Sequence, residues 1–276
     1  MFSKDPKIED LILDVLSDGQ QSTLALIDKI REKRPQTTKQ AVYQALRVLK
    51  ANETIVQSRE EVSLSSVWLK RLADFTEKAE LNYKQKERPS TNFLGLKQGE
   101  KISYTFKTFE ATDMFWAHAF DVLADVTMQT SPIFLYNPHE WFLLARPESE
   151  IYLFDHTVKN GRKMFLMIGN NDPLDMYVSK FFDGEKKNYY ASPKALFLKN
   201  NYYLNVLDDF LIEVWLDPKV SAEIDYVYKH TKIFDENIKA KILEIIKKRG
   251  KNKLIITRNK RKADQVKRMF KEYFLI

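Results

Sequence analysis

The side chains that most often carry covalent chemistry are sparse in this chain of 276 residues. Cysteine is absent, which excludes disulfides, thiolate ligands and cysteine nucleophiles. The four histidines form no pair at the spacing that places two ligands on one helix face; they are His118, His139, His156 and His230. No P-loop, GxGxxG or GxSxG motif occurs. We therefore predict no catalytic residue, no metal site and no cofactor.

Another kind of chemistry, hydrogen bonding to bases and phosphates, is available between residues 38 and 59. Glutamine and arginine can form paired hydrogen bonds with adenine and guanine, and lysine and arginine neutralise phosphates. The candidate groove contacts are Lys39, Gln40, Tyr43, Gln44 and Arg47, joined by Thr38 and by Lys50 and Arg59 as phosphate contacts. They predict double-stranded DNA as a partner. The alternative is an ordinary exposed helix face, since these residue types are good helix formers.

An amphipathic helix must position these side chains. Thr37 and Gln40 have the spacing of a capping box, which predicts a helix start at Thr37. Its buried face is expected to consist of Val42, Ala45, Leu46 and Leu49. Two strands, Thr54–Ser58 and Ser63–Leu69, are predicted to follow as a wing around a turn at Arg59–Glu61.

Two shorter helices are predicted before this one. Asp5-Pro6 has the form of an N-cap and a first helical residue, and apolar residues then recur at helical spacing up to Leu16. Ser22 is placed to cap a second helix that ends at Pro35. Three helices followed by a wing predict a winged helix-turn-helix, whose third helix enters the major groove of DNA.

The segment AVYQALRVLKANETIV resembles the corresponding run in the winged helices of PadR-like and TrmB-like transcription regulators. The resemblance covers about the first quarter of the chain. It implies a DNA-binding regulator. These families usually have glycine before the first wing strand, whereas this chain has Asn52-Glu53-Thr54. Asparagine tolerates a left-handed backbone, so the turn is expected to be preserved.

A further helix is predicted from Trp68 to Glu87, followed by a break at 88–92. Its apolar residues Trp68, Leu72, Phe75 and Ala79 could pair with a second copy or pack on their own domain. We expect a homodimer, because two DNA half-sites multiply specificity.

From Lys101 onwards, strand-like and helix-like segments alternate, which predicts an α/β fold, α+β overall, with a partly parallel sheet. Helix-like segments include 139–157, which Pro147 should kink or divide, and 260–274. The strand-like segments are 102–109, 132–136, 163–168, 210–216 and 254–257. The predicted domains are residues 1–70 (winged helix), 71–98 (connecting helix and linker) and 99–276 (effector sensing or association). A TrmB-like arrangement implies a phospholipase-D-like second domain. The His-x-Lys-x4-Asp motif of that chemistry is missing, since the nearest candidate, His156, has its lysine at 159.

One loop of the second domain has the character of a ligand site. Gly169, Asn170, Asn171 and Asp172 follow a predicted buried strand and precede Pro173, so backbone amides there could meet an anion or a sugar hydroxyl. An ordinary strand-to-helix turn is the alternative. Asp208-Asp209 is expected to lie in a strand, which would point the two carboxylates to opposite faces.

Charge is distributed unevenly along the chain. Residues 1–90 carry 16 basic and 14 acidic side chains, residues 91–236 carry 15 and 21, and residues 237–276 carry 14 and 3. The basic C-terminus could be a nucleic-acid surface, a counterpart of the acidic middle or a solvated rim.

No segment has the apolar length of a membrane span or a secretion signal, so we expect a cytoplasmic protein with no membrane partner.

These observations predict a sequence-specific DNA-binding transcription regulator, a repressor, that is not an enzyme. Its second domain would respond to a small-molecule effector or a protein partner. Two alternatives remain open: an antitoxin-like autoregulator of a toxin or defence operon, and a nucleic-acid-processing enzyme that uses the basic C-terminus.

Overall fold

The computed structural model describes residues 6–84, 93–192, 196–197 and 199–276, with the backbone alone at 80, 81, 83 and 84. The chain divides into two compact units, residues 1–83 and 84–276. Among the described residues, no helix has the length and apolar character that crossing a membrane requires.

The first unit consists of helices packed on a small antiparallel sheet. Its elements are α1 (Ile8–Ser17), β1 (Gln21–Ser22), α2 (Thr23–Lys33), α3 (Lys39–Ala51), β2 (Ile55–Ser58), β3 (Glu61–Leu64) and α4 (Ser66–Lys84). The strand order is β1-β3-β2. Apolar residues at helical spacing on α1, α2 and α3 meet in one core with the strands; fully buried members include Ile12, Leu26, Ile30, Val42 and Val62.

Helix starts in this unit differ in detail from the sequence prediction. Helix α3 begins at Lys39, because the hydroxyl of Thr38 accepts a hydrogen bond from the Ala41 amide at 3.2 Å. Thr37 is instead buried outside the helix, so the predicted capping box was wrong. Helix α1 begins at Ile8 rather than at Pro6, and Asp5 lies outside the described residues. Ser22 does cap α2, accepting from the Ala25 amide at 3.2 Å.

The wing is shorter than predicted. Strand β3 ends at Leu64, since Ser65 turns the chain into α4 and its hydroxyl accepts from the Trp68 amide at 3.3 Å. The prediction of a strand to Leu69 was therefore wrong. The residue with left-handed backbone before the wing is Glu53 (φ 57°) rather than Asn52.

The second unit is an α/β layer around a seven-stranded mixed sheet, in agreement with the predicted fold class. Its strands are β4 (Lys101–Thr108), β5 (Ile133–Asn137), β6 (Met164–Ile168), β7 (Lys187–Ala191), β8 (Tyr202–Leu207), β9 (Phe210–Trp215) and β10 (Arg249–Arg258). The order is β4-β10-β9-β8-β5-β6-β7, with β5-β6 and β6-β7 parallel.

The helices that connect these strands are α5 (Phe109–Val126), α6 (Phe142–Ala145), α7 (Pro147–Val158), α8 (Pro173–Val178), α9 (Pro218–His230), α10 (Glu236–Ile246) and α11 (Lys260–Phe274). Short 3-10 turns lie at Phe93–Gly95 and Ser179–Phe181. The predicted helix from His139 to Thr157 is divided at Pro147, as expected from the missing amide donor of proline. The predicted break at 88–92 lies outside the described residues.

Both faces of the large sheet are covered. Alternate residues of β5 point to opposite sides, so that Leu135 joins the core under α5 whereas Phe134 and Tyr136 join the core under α11. Helix α11 closes the latter side with Ala263 and Phe270, both fully buried.

Replacing Phe270 by alanine tests this packing. We expect the mutant to lose about 3–5 kcal/mol of unfolding free energy, the usual result of deleting a buried aromatic ring. Urea denaturation of the purified chain measures it. The neighbouring exposed residue supplies the control, Lys271→Ala, which should change stability by no more than about 0.5 kcal/mol. Equal effects of the two substitutions would contradict the packing described.

Candidate nucleic-acid interface and a buried polar cluster

Helix α3 is held to the first unit by its apolar side. Val42, Ala45, Leu46 and Leu49 are all buried, as the sequence predicts. Because residues three and four positions apart share a helix face, this stripe determines which side chains face away from the unit. The outer face is therefore a consequence of core packing.

Every predicted DNA-contacting residue is exposed. This set comprises Thr38, Lys39, Gln40, Tyr43, Gln44, Arg47, Lys50 and Arg59. Tyr43 retains 44% of its accessible surface. Within the part of the chain that the structure describes, Lys39, Gln40, Gln44 and Arg47 have no side-chain hydrogen bond or ion pair, so their donors are available to a ligand.

Helix α3 carries a net positive charge with no acidic residue to offset it. Helix α3 contains Lys39, Arg47 and Lys50 and no acidic residue. Helix α1, in contrast, carries acidic residues in its first turn. The near-neutral balance of residues 1–90 thus conceals a locally basic helix.

The turn of the wing lies beside an acidic pair. Arg59 has a left-handed backbone (φ 54°) and is exposed, as are Glu60 and Glu61. The Thr23 hydroxyl and amide both donate to the Glu60 carbonyl, at 2.8 and 2.7 Å, which ties the turn to the start of α2. Arg59 is therefore presented on a supported turn, with its positive charge partly offset by its neighbours.

The second unit contains a buried polar cluster that the sequence analysis missed. His139 follows β5, Asp175 lies in α8 after β6, and Asp225 lies in α9. Nδ1 of His139 is 2.9 Å from Oδ2 of Asp175, and its Nε2 is 3.2 Å from Oδ1 of Asp225. The ring of Tyr228 lies over the imidazole, with 4.2 Å between centroids. A lone histidine gives no sequence signal for this, since its partners are 36 and 86 positions further along the chain.

The protonation of His139 follows from its two partners. Burial by itself lowers the pKa of this imidazole, but the hydrogen bonds and negative charges of Asp175 and Asp225 outweigh burial and raise the pKa to about 9. The ring is accordingly an imidazolium at neutral pH, with both nitrogens facing carboxylates. Such a group links three segments of chain and has no free nitrogen to act as a base or nucleophile.

The loop predicted to bind a ligand, Gly169–Asp172, borders this cluster. Gly169 is required by packing, because a Cβ at that position would overlap the hydroxyl of Tyr136. Asn170 donates from Nδ2 to the Pro138 carbonyl at 3.0 Å, which joins the loop to the segment after β5. Asn171 is exposed and Asp172 half-buried. The loop thus has structural contacts at two of its four positions.

His139, Asp172 and Asp175 each have one potential ligand atom, and these atoms lie within 4.8 Å of one another. No metal site is predicted from the sequence, in which no spacing pattern joins His139 to Asp172 and Asp175. Because Nδ1 of His139 is already engaged with Asp175, the three residues are described more simply as part of the polar cluster than as a metal centre.

Asp208 and Asp209 lie in the tight turn between β8 and β9, so their predicted place within a strand was wrong. Asp208 has a left-handed backbone (φ 49°) and accepts from the Met128 amide at 2.6 Å. Asp209 accepts from Nε of Arg258 at 2.9 Å. Each carboxylate has a structural partner.

No protein-family model matches this chain, and no curated protein sequence matches it. Among solved structures it is similar to TrmBL2, an archaeal chromatin protein that shows a novel mode of DNA binding. That likeness has 14% identity and a TM-score of 0.36, and covers 97% of this chain and 91% of TrmBL2. NucT from Helicobacter pylori has 8% identity and a TM-score of 0.34, over 63% of this chain and 96% of NucT. Likenesses of this strength establish neither a family nor a function.

Replacing His139 by alanine should destabilise the protein by roughly 3–5 kcal/mol at neutral pH, since it leaves Asp175 and Asp225 without their shared cation. The pKa of His139 is higher in the folded than in the unfolded state, so its contribution is complete below about pH 6.5 and is lost as pH rises through about 9.

Urea denaturation of wild type and mutant between pH 6 and pH 10 measures both effects. The half-exposed His156 provides the control, His156→Ala, whose effect should stay within about 0.5 kcal/mol. A wild-type advantage over H139A that does not shrink as pH rises would refute the assigned charge.

Proposed function

We propose that this protein binds double-stranded DNA sequence-specifically through α3 of its first unit and acts as a transcription repressor. The observation that carries the proposal is the outer face of α3. Three basic residues and two glutamines lie there without acidic neighbours on the helix, on a helix whose opposite face is anchored in the core.

The dimensions of this face suit the major groove. Residues 39 to 47 span about 12 Å at a rise of about 1.5 Å per residue, which is close to the groove width of about 12 Å. The element order of three helices followed by a paired wing is that of winged helix-turn-helix proteins. In that arrangement the helix after the turn reads base edges and the surrounding basic residues contact phosphates.

The residue types assign roles along the helix. The side chain of Gln44 can form two hydrogen bonds with adenine, and that of Arg47 can form two with guanine. Lys50 at the end of the helix and Arg59 on the wing turn are placed to contact phosphates. Tyr43 can add an apolar contact to a thymine methyl group or a hydrogen bond to phosphate.

The apolar stripe of α4, exposed at Leu72 and Phe75 and half-buried at Trp68 and Ala79, supports a homodimer. Trp68, Leu72, Phe75 and Ala79 recur at alternating spacings of four and three residues, which is the seam of a paired helix. Phe75 has 68% of its surface exposed and Leu72 38%. A second copy of the same chain covers such a stripe with its own, and a symmetric dimer would present two α3 helices to two half-sites.

The groove assignment is tested by the double variant Gln44→Ala/Arg47→Ala. Bound fragments are first selected from random genomic DNA, and affinities for the selected and scrambled duplexes are then compared. Each lost bidentate pair should reduce discrimination by about 1–3 kcal/mol, which is roughly 5- to 160-fold, while circular dichroism remains unchanged.

The control for loss of charge is Lys78→Ala on α4, an exposed cation of the same unit outside the proposed groove face. It should leave discrimination unaltered. If the double variant discriminates as well as wild type, α3 does not read the sequence.

The dimer is tested by Phe75→Glu. A charge in the seam should shift the chain from dimer to monomer by sedimentation equilibrium, because a buried like-charge pair would have to be desolvated. Thr76→Glu adds the same charge one position away from the seam and should remain dimeric. A wild-type chain that is monomeric at all concentrations would remove the dimer from the proposal.

A further inference from the structure

The second unit has a partly open cavity of about 50 Å³ between α5, the α6-α7 segment and the sheet. A space of about 10–15 Å³ on this measure already admits one water molecule, so this cavity has room for a small ligand. Its walls combine acidic, amide and aromatic side chains. Those that decide its chemistry are Asp113, Asn137, Glu140 and Glu150, with Trp116 and Phe142.

Three of these side chains are carboxylates with almost no exposure, at 3% for Asp113, 1% for Glu140 and 6% for Glu150. Arg146 pairs with two of them, from Nη2 to Asp113 Oδ2 at 2.5 Å and to Glu150 Oε1 at 3.1 Å. Among the described residues, no cationic side chain forms an ion pair with Glu140. It receives neutral donors only, from Asn137 Nδ2 and, at 3.4 Å, from the Leu143 amide.

The neighbouring polar cluster supplies no cationic partner for Glu140. His139 pairs with Asp175 and Asp225, and Arg146 pairs with Asp113 and Glu150, so neither cation pairs with Glu140. His139 is held by Asp175 and Asp225, and so cannot also pair with Glu140. Glu140 is therefore buried without a cationic partner in a region of low dielectric, where its ionised form is costly.

Asn137 provides an independent indication of a ligand. It is 4% exposed, and its Oδ1 has no hydrogen-bond partner among the described residues. Its Nδ2 donates to Glu140, which orients the amide and leaves Oδ1 as a buried acceptor. Buried acceptors are usually paired, so Oδ1 is suited to accept a hydrogen bond from a ligand in the cavity.

The aromatic walls distinguish between kinds of cation. The rings of Trp116 and Phe142 meet edge to face, with centroids 5.1 Å apart, and the indole N–H of Trp116 is fixed by Asn205. Aromatic faces attract organic ammonium groups and bury their alkyl parts, whereas a hydrated metal ion gains little from them.

We propose that this cavity binds a small primary alkylammonium ion, whose N–H groups donate to Glu140 and to Oδ1 of Asn137 and whose alkyl part lies against Trp116 and Phe142. The interaction is independent of DNA and is tested without it, so the outcome does not depend on the proposed function.

Protonation of Glu140 provides a second readout. Burial, reinforced by the negative charge of Glu150, raises the pKa of Glu140 to about 8, and burial together with Asp113 raises that of Glu150 to about 7 against the opposing effect of Arg146. The charged groups around Glu140 are Asp113 on α5, Arg146 between α6 and α7, Glu150 on α7, Asp175 on α8 and the adjacent His139. The titratable phenols of Tyr189, Tyr203 and Tyr228 also interact with it. An ammonium ion must displace the proton of Glu140, so affinity should rise with pH, by up to tenfold per unit, until about pH 8.

The experiment is calorimetric titration of the full chain with ethylammonium chloride at pH 6, 7 and 8, at constant ionic strength. Ethanol and potassium chloride serve as neutral and inorganic controls. We expect ethylammonium to bind with proton release and the controls to give no signal. Glu140→Gln should weaken ethylammonium binding at least tenfold at pH 8, and the exposed control Glu148→Gln should not.

If Glu140→Gln does not fold, the pH dependence of the wild type decides. No binding of ethylammonium, binding that is equal for ethanol, binding of potassium alone, or an affinity that is unchanged between pH 6 and pH 8 would each overturn the proposal.

Discussion

The apolar stripe of α3 is the constraint from which the functional interpretation of the first unit follows. Once Val42, Ala45, Leu46 and Leu49 are buried, the helix has one rotational setting about its axis, because turning it would expose these side chains and lose about 25 cal/mol for each Å² of apolar surface. Gln44 and Arg47 are exposed for that reason. The proposed contact of these two residues with DNA and the stability of the unit thus depend on the same helical periodicity.

The second unit depends on a different kind of interaction. Its sheet and covering helices are ordinary α/β packing, but the segments after β5 and β6 and the helix α9 are joined through one buried imidazolium between two carboxylates. A buried ion pair gains little net free energy over an apolar contact, whereas removal of one member is strongly destabilising. His139 therefore fixes the relative positions of three segments more than it adds stability. It also places Glu140 and Asn137 beside the cavity, because these residues flank it in the chain.

Elements formed by local interactions could be predicted from the sequence, whereas elements and sites formed by contacts between distant residues could not. Helix α11 was predicted with its observed ends, because Asn259 caps it and its apolar residues repeat within the helix itself. Strand β7 was not predicted, since its residues are only half-buried and its one partner, β6, is set by tertiary contacts. The groove face of α3 follows from local periodicity. The cluster of His139, Asp175 and Asp225 could not be found in this way, because no spacing rule connects residues on three separate elements.

Local sequence patterns also gave a wrong prediction where two neighbouring residues could each cap the same helix. Thr37 and Thr38 both have a hydroxyl suited to capping, and the capping-box pattern favours the first. Tertiary packing decides otherwise: the carbonyl of Thr37 accepts from Nε of Arg31 at 3.2 Å and its side chain is buried, which leaves Thr38 at the helix start.

The acidic cavity is likewise formed by tertiary contacts rather than by a local sequence pattern. No local pattern favours three carboxylates around one arginine, and an apolar lining of similar volume would be more stable. Burial of Asp113, Glu140 and Glu150 lowers the stability of the folded chain, and a cation that bound only the folded form would offset part of this cost through linkage.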